Sequence, residues 1–299
     1  MTSTTTTTIP PPITTSDVTV NYVPNERMAT DMKDIQEHIL LTDLNDNGIL
    51  RLTLNDIGNK NALSELMIKN LIDSLKSASK DKNTRVIVIA STGNVFCSGH
   101  NLKELKKINE NNEEKEQYFL DLFQTCSELM SLIVNCSKPV IAEVNGVATA
   151  AGCQLVASCD LAIASNIAKF ATPGVNIGLF CSTPMVALSR NVSKKNSMKM
   201  LLTGDFINAD EAKRISLIND FVPEDQLTKS VMDLAKKISQ KSQAVLRIGK
   251  EAFHKQYILN LEDAYKYTSE VMTKNMMIND AIEGIDSFLE KREPDWEDK

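Results

Sequence analysis

Two stretches of this chain carry residues whose types and spacing suit chemistry at backbone amides rather than at side chains. The first covers residues 138–155. It reads as a buried strand opened by Pro139, an Asn145-Gly146 turn in which positive φ comes cheaply, a run of small residues and a helix. From Ala148 to Cys153 no side chain has bulk, so another group can lie against the backbone there. A helix starting at this point leaves N–H groups unpaired and carries a partial positive charge, a place to hold a negative oxygen. Tight packing of a helix on a sheet accounts for the same small residues, and the stretch alone leaves both readings open. The second stretch covers residues 91–105, where Gly99 permits an unusual backbone turn and a helix begins near Asn101. It is again a strand, a tight turn and a helix start.

Side-chain chemistry has less to recommend it. The six cysteines show no paired CxxC spacing and read as free thiols of a reducing compartment. Three histidines without clustered Cys, Asp or Glu give no support to a metal site, so none is expected. A net charge of −6 without a long basic run argues against nucleic acid. No apolar run approaches the ~18 residues of a membrane span.

The elements that position the two stretches follow from periodicity. Residues 39–42 and 48–54 read as strands joined by a hairpin at Asn45-Asp46-Asn47-Gly48. Leu66, Ile68, Leu71, Ile72 and Leu75 recur at helical spacing behind a Ser64 cap. Residues 85–90 form a continuous β-branched run, as in a strand buried on both faces. Residues 109–116 read as a solvated loop or helix face, and a helix follows over about 117–134 with Leu120, Phe123, Leu129 and Ile133 on its apolar side. Residues 161–164 are another strand, 170–178 a turn-rich loop, and Thr183-Pro184 opens a helix. Residues 224–289 read as helices throughout. With no sequence repeat and no interior linker, we expect one domain over 38–299, whose part from 224 is helical. Residues 1–37 precede it as a Thr- and Pro-rich tail or transit segment.

Taken together, Asn61-Ala62-Leu63, the run Phe96-Cys97-Ser98-Gly99-His100-Asn101-Leu102-Lys103-Glu104, and Val144-Asn145-Gly146 through Cys159-Asp160 resemble the enoyl-CoA hydratase/isomerase (crotonase) family. Phe170…Pro173…Gly178, Leu202-Thr203-Gly204 and Phe288-Leu289-Glu290-Lys291-Arg292 extend the resemblance over roughly 38–299. It implies an α/β fold, a spiral of ββα units with a helical C-terminal trimerisation region, and a homotrimer or hexamer. It implies a coenzyme A thioester as ligand or substrate, with no bound cofactor. It assigns the two backbone N–H groups of an oxyanion hole to His100 and to Ala151, where the family usually has Gly. Asn101 (more often Asp in the family), Leu102 and Lys103 are expected along the CoA path with Lys60, Ala62, Phe288 and Lys291, the last from a neighbouring subunit.

The chain departs from the family at the two hydratase glutamates. One position is Gln154, which neither ionises nor accepts a proton at pH 7; the other is Gly174, expected in a loop that relies on positive φ. An efficient hydratase is therefore not expected. The resemblance leaves a CoA-thioester protein of fatty-acid metabolism. It is either an enzyme using only the oxyanion hole, as an acyl-CoA decarboxylase or thioesterase, or a non-catalytic acyl-CoA-binding subunit. Glu143 is read as structural or inter-subunit, and Asp160 as structural. The Thr-rich start and the resemblance suggest a mitochondrial protein, with a cytoplasmic one as the alternative.

Overall fold

A computed structural model describes residues 39–106 and 112–299. The tail expected over 1–37 lies outside the described residues, as do residues 109–111 of the polar stretch. Two sheets carry the fold. The larger has six strands in the order β1 (Leu40–Leu44), β2 (Ile49–Leu54), β3 (Val86–Ser91), β5 (Val140–Val144), β7 (Leu161–Ser165) and β10 (Asp220–Val222). The smaller has four short strands in the order β4 (Val95–Cys97), β6 (Val147–Thr149), β8 (Lys169–Ala171) and β9 (Ile207–Asn208). β3 leads into β4, β5 into β6 and β7 into β8. Each turn of the chain thus adds one strand to each sheet before a helix returns it, the spiral of ββα units.

Local chemistry accounts for the long elements. In the β1–β2 hairpin Gly48 takes φ +71°, and the Asn45 side chain accepts from the N–H groups of Asn47 and Ile49. Ser64 caps α1 (Glu65–Lys80) by accepting from the Met67 N–H at 3.1 Å. On β3, Ile87 and Ile89 face the large core with α1, while Val86 and Val88 face the other way, towards Leu227, Val231 and Ala235 of α8 (Leu227–Ser239). The period of two puts alternate residues on opposite faces, and both faces are covered, hence the unbroken apolar run.

The helix α3 spans Asn112–Val134, starting before the expected residue 117. Its buried face is Leu122, Cys126, Leu129, Met130 and Ile133. Leu120 and Phe123 are 48% and 36% exposed, which corrects their placement on that face. The buried set repeats at i, i+4, i+7, i+8, i+11; Leu120 falls well outside that helical stripe and Phe123 at its edge. The small sheet is a second difference. Its strands are two or three residues long, too short for alternation to show, so the small-residue run reads as loop where β6 lies.

The C-terminal part comprises α8, α9 (Gln243–Tyr257), α10 (Leu261–Met276) and α11 (Asn279–Glu290), and residues 291–299 leave the helix. That last segment folds back. Asp280, 1% exposed, accepts from the N–H groups of Glu297 (2.8 Å) and Asp298 (3.1 Å) and from the Ser242 hydroxyl. Arg85 pairs with Asp298 at 2.6 Å and donates to the Ser239 and Lys241 carbonyls. Glu143 is structural, as expected: buried on β5, it takes a two-pronged bond from Arg51 and one from Thr228 at the start of α8. Asp160 likewise binds Lys250 at 2.6 Å and the Val140 N–H at 2.7 Å. Among the described residues no helix is long and apolar enough to cross a membrane.

Candidate active site

The site forms where β4, β6 and β8 end side by side. These strands are parallel neighbours, with Cys97 opposite Ala148 and Thr149 opposite Ala171. Their C-terminal ends deliver three segments to one place: Ser98-Gly99-His100, Ala150-Ala151 at the start of α4 (Ala151–Ser158), and Thr172-Pro173. The Thr149 hydroxyl donates to the Ser98 carbonyl at 3.1 Å, and the Ala150 N–H to the Ala171 carbonyl at 3.0 Å. Gly99 takes φ +90°, and a Cβ there would lie 3.2 Å from the Ala151 nitrogen. The two turns singled out in the sequence are therefore in contact.

Backbone geometry is under tension at this junction. Ala150 holds φ +51°, ψ −120°, a conformation that costs an L-residue about 1–3 kcal/mol. Its effect is to start α4 abruptly, with the Ala151 N–H ahead of the helix's own hydrogen bonds. Neither that N–H nor the His100 N–H is donated in the turn, loop and cap hydrogen bonds of the described residues. Asn145 and Gly146, expected at positive φ, adopt none. Gly146 is required for a different reason: a Cβ there would come within 2.1 Å of the Asn94 carbonyl oxygen.

The loop ahead of α1 joins the site. The Ser98 N–H donates to the Lys60 carbonyl (3.2 Å) and the Leu63 N–H to the Gly99 carbonyl (2.8 Å). Lys60 and Asn61 both sit at left-handed φ, and buried Asn61 ties the loop to the carbonyls of Thr92 and Val95. Ala62 is buried beneath it, and Lys103 reaches back to Asn59 at 3.2 Å. Asn101 caps α2 (Leu102–Lys106), accepting from the Lys103 N–H, and Leu102 is 55% exposed. Lys60, Ala62, Asn101, Leu102 and Lys103 thus gather around His100. Phe288 and Lys291 do not join them within one chain. They lie at the end of α11, which packs on α9 and α10, and Phe288 is 81% exposed.

The side chains at the junction are neutral. Gln154 lies one turn beyond Ala151 on the same face of α4; it is buried and its Oε1 has no partner. Gly174 has no positive φ, contrary to expectation; a Cβ there would meet the Leu179 carbonyl oxygen at 2.8 Å and the Cys181 sulfur at 2.9 Å. Close packing excludes a side chain at this position, and the left-handed residue of the loop is Gly178. The His100 ring stands edge-on to Phe123, centroids 5.3 Å apart, and both ring nitrogens are buried without a hydrogen bond. Burial pushes its pKa below the usual histidine value; the Leu63 carbonyl opposes this without reaching hydrogen-bond geometry. Burial also pushes the Cys97 and Cys153 thiols up to about 12, which leaves neither as a nucleophile. Thr172 and Phe123 were not expected here. Thr172 precedes a proline in a loop, and Phe123 reads from spacing as core; neither carries a local signal of its role.

Paired ββα turns, two amides freed at the ends of neighbouring parallel strands and a helical C-terminal part define the crotonase fold. The chain belongs to the enoyl-CoA hydratase/isomerase family, whose model matches residues 45–299. Within it, the chain is similar to the mitochondrial enoyl-CoA hydratase domain-containing protein 3 of Xenopus laevis, 49% identical over 261 residues, 87% of each chain. The human protein of that name is 47% identical over 249 residues, 83% of this chain and 80% of the human one. The crystal structure of human enoyl coenzyme A hydratase domain-containing protein 3 superposes with a TM-score of 0.82 at 45% identity, covering 86% of this chain and all of the other. An enoyl-CoA hydratase structure from Mycobacterium smegmatis gives 0.83 at 43% identity, covering 87% and 99%. The mitochondrial naming of the first two supports the location expected from the sequence.

Proposed function

We propose that this chain binds coenzyme A thioesters in mitochondrial fatty-acid metabolism and does not hydrate enoyl-CoA efficiently. The observation that carries the reading is a junction that keeps two unengaged amides, at His100 and Ala151, yet has Gln154 and Gly174 where the resemblance puts the hydratase glutamates. Two such donors polarise a thioester carbonyl, each worth about 2.7–4 kcal/mol towards an enolate. Activation of water is what this set lacks. Each lost acid or base costs 10²–10⁴ in rate. The pantetheine and adenosine parts lie along Lys60, Ala62, Asn101, Leu102 and Lys103, and Phe288 and Lys291 reach the site of a second copy. The exposed apolar side chains along and between α9–α11, among them Phe253, Ile258, Leu261, Met277 and Phe288, support a homotrimer or a hexamer. No bound cofactor is required.

The test is loss of conjugation absorbance of a short enoyl-CoA, together with mass spectrometry of an acyl-CoA panel. Binding without hydration is expected, and robust hydration by the unaltered protein overturns the reading. Ala151→Pro removes one amide at the first helical position, where the helix itself does not use the N–H. It is expected to lower thioester affinity sharply; because Ala150 at ψ −120° disfavours a following proline, the affinity is read on the fraction that circular dichroism shows to be folded. Gln154→Glu restores one carboxyl and recovers little. Gly174→Glu recovers nothing, because its Cβ collides with the Leu179 backbone.

A further inference from the structure

The C-terminal end of α4 opens on a cavity of its own, away from the amides at its start. A groove of about 910 Å³ lies between α5 (Pro184–Asn191) and α9, bordered by Ala157, Ser158 and Cys159. About 10 Å of helix separates this end from the Ala151 N–H. None of the residues assigned above to the thioester site lines the groove. α9 presents Val245, Leu246 and Gly249 to it, and Val134, Pro139 and Leu161 add further apolar wall. A Cβ built on Gly249 would meet nothing within 4 Å, so open space lies beside that helix. Such a volume, with a mainly apolar lining and a few polar groups, is that of a small-molecule site.

The polar groups of the groove limit what it can take. Lys250 spends its three donors on Asp160 at 2.6 Å and on the carbonyls of Ile133 (3.0 Å) and Lys138 (3.1 Å). That lysine and Asp160 cancel in charge. Asn191 donates to the Ala157 and Ala187 carbonyls and so covers the last turn of α4. His254 Nε2 stands 3.9 Å from the Asp160 carboxylate, beyond hydrogen-bond reach. Arg190 donates from one nitrogen to the Val186 carbonyl of its own helix at 2.9 Å. Among the described residues it forms no ion pair. The groove thus holds one guanidinium without an anion, one imidazole and otherwise hydrocarbon. The several phosphates of coenzyme A exceed a single cation, and a cationic ligand is repelled by it. An elongated monoanion with an apolar body matches both parts, and a carboxylate matches the guanidinium fork.

We propose that this groove binds one long-chain alkyl carboxylate, a free fatty acid, with its chain along Val245, Leu246 and Gly249 and its carboxylate on Arg190. The site is separate from the thioester junction, and the assignment stands without the thioester reading.

Isothermal titration of the full chain with dodecanoate below its micelle concentration, butyrate and dodecylammonium tests this. One dodecanoate per chain is expected. Butyrate, shorter by eight methylenes, is expected to bind at least about a hundredfold more weakly, and dodecylammonium about tenfold more weakly than dodecanoate. Gly249→Leu fills the open side of the groove and replaces a glycine inside a helix by a good helix former, so the fold is expected to hold. It is expected to weaken dodecanoate about tenfold or more. Arg190→Gln is expected to weaken dodecanoate about tenfold and to bring it level with dodecylammonium. Dodecanoate that does not bind, that binds Gly249→Leu as tightly as wild type, or that binds no better than dodecylammonium overturns the proposal. Displacement of dodecanoate by butyryl-CoA overturns it too, because it puts the fatty acid at the thioester junction. Sedimentation velocity reads the remaining occupant: a Gly249→Leu assembly that falls apart, with no dodecanoate bound by wild type, assigns the groove to a second copy and overturns the proposal. The head-group comparison on wild type decides without any variant, should one fail to fold.

Discussion

Ala150 and Gly99 are coupled through a contact that neither residue reveals alone. A Cβ built on Gly99 would lie 2.9 Å from the Ala150 Cβ, and Gly99 is itself at φ +90°. Gly99→Ala is expected to cost about 2–3 kcal/mol from backbone strain and overlap together. Ala150→Gly is expected to stabilise by roughly 1 kcal/mol: it relieves the strained φ, less the entropy a new glycine loses on folding. The double variant is expected to be more stable than the sum of the two changes, because the Cβ–Cβ overlap exists only when both methyl groups do. Urea denaturation of wild type, singles and double measures the coupling, and simple additivity would refute it. His100 adds a pH dependence. Its folded pKa lies below the unfolded value of 6.5, so the unfolded chain binds the proton first as pH falls. The stability it permits is therefore present above about pH 6.5 and declines below it. His100→Phe is expected to flatten the melting temperature between pH 5 and 7 relative to wild type.

At the scale of elements, the small sheet is held by two glycines that let backbones touch. Gly146 lies against the Asn94 carbonyl before β6, and Gly152 against the Cys97 carbonyl, where a Cβ would intrude to 2.1 Å in each case. These contacts set α4 down on β4 and so fix the spacing of the two amides. Backbone cannot retreat as a flexible side chain can. Gly152→Ala is thus expected to cost about 3 kcal/mol and to weaken thioester binding as well. A fall in the urea midpoint at unchanged m-value, with reduced affinity in the folded fraction, is the expected pair of results. Unchanged affinity would show that α4 moves without disturbing the site.

Across the whole molecule, the C-terminal segment ties the last helices to the sheet. Asp280 gathers the Ser242 hydroxyl and the N–H groups of Glu297 and Asp298, Asp298 reaches Arg85 at the head of β3, and the Trp296 indole donates to the Gln240 carbonyl at 2.9 Å. Asp280→Ala leaves the buried Ser242 hydroxyl and the part-buried N–H groups of Glu297 and Asp298 without their acceptor and is expected to cost about 2 kcal/mol. Hydrogen exchange should show α11 losing protection well before β3 and β5, since the sheet has its own core. Uniform loss across the chain would mean that the segment is not a separate clasp.

The amino-acid sequence by itself determined the long elements, because periodicity is a local property. The β-branched run of β3, the hairpin at Asn45-Asp46-Asn47-Gly48, the Ser64 cap and the opening of a helix at Pro184 all read directly. Motif order gave the family, and with it His100 and Ala151 as neighbours. Tertiary structure alone decided four matters. It formed strands two or three residues long, which have no period to read. It put the positive φ on Ala150 rather than at Asn145-Gly146. It made Gly174 a matter of contact with Leu179, where chain flexibility had been expected. It left the buried side-chain oxygens of Gln154 and Thr172 without hydrogen-bond partners. In each case the cause is an approach between segments distant in sequence. Local propensity, which acts over a few residues, carries no information about what another segment will press against.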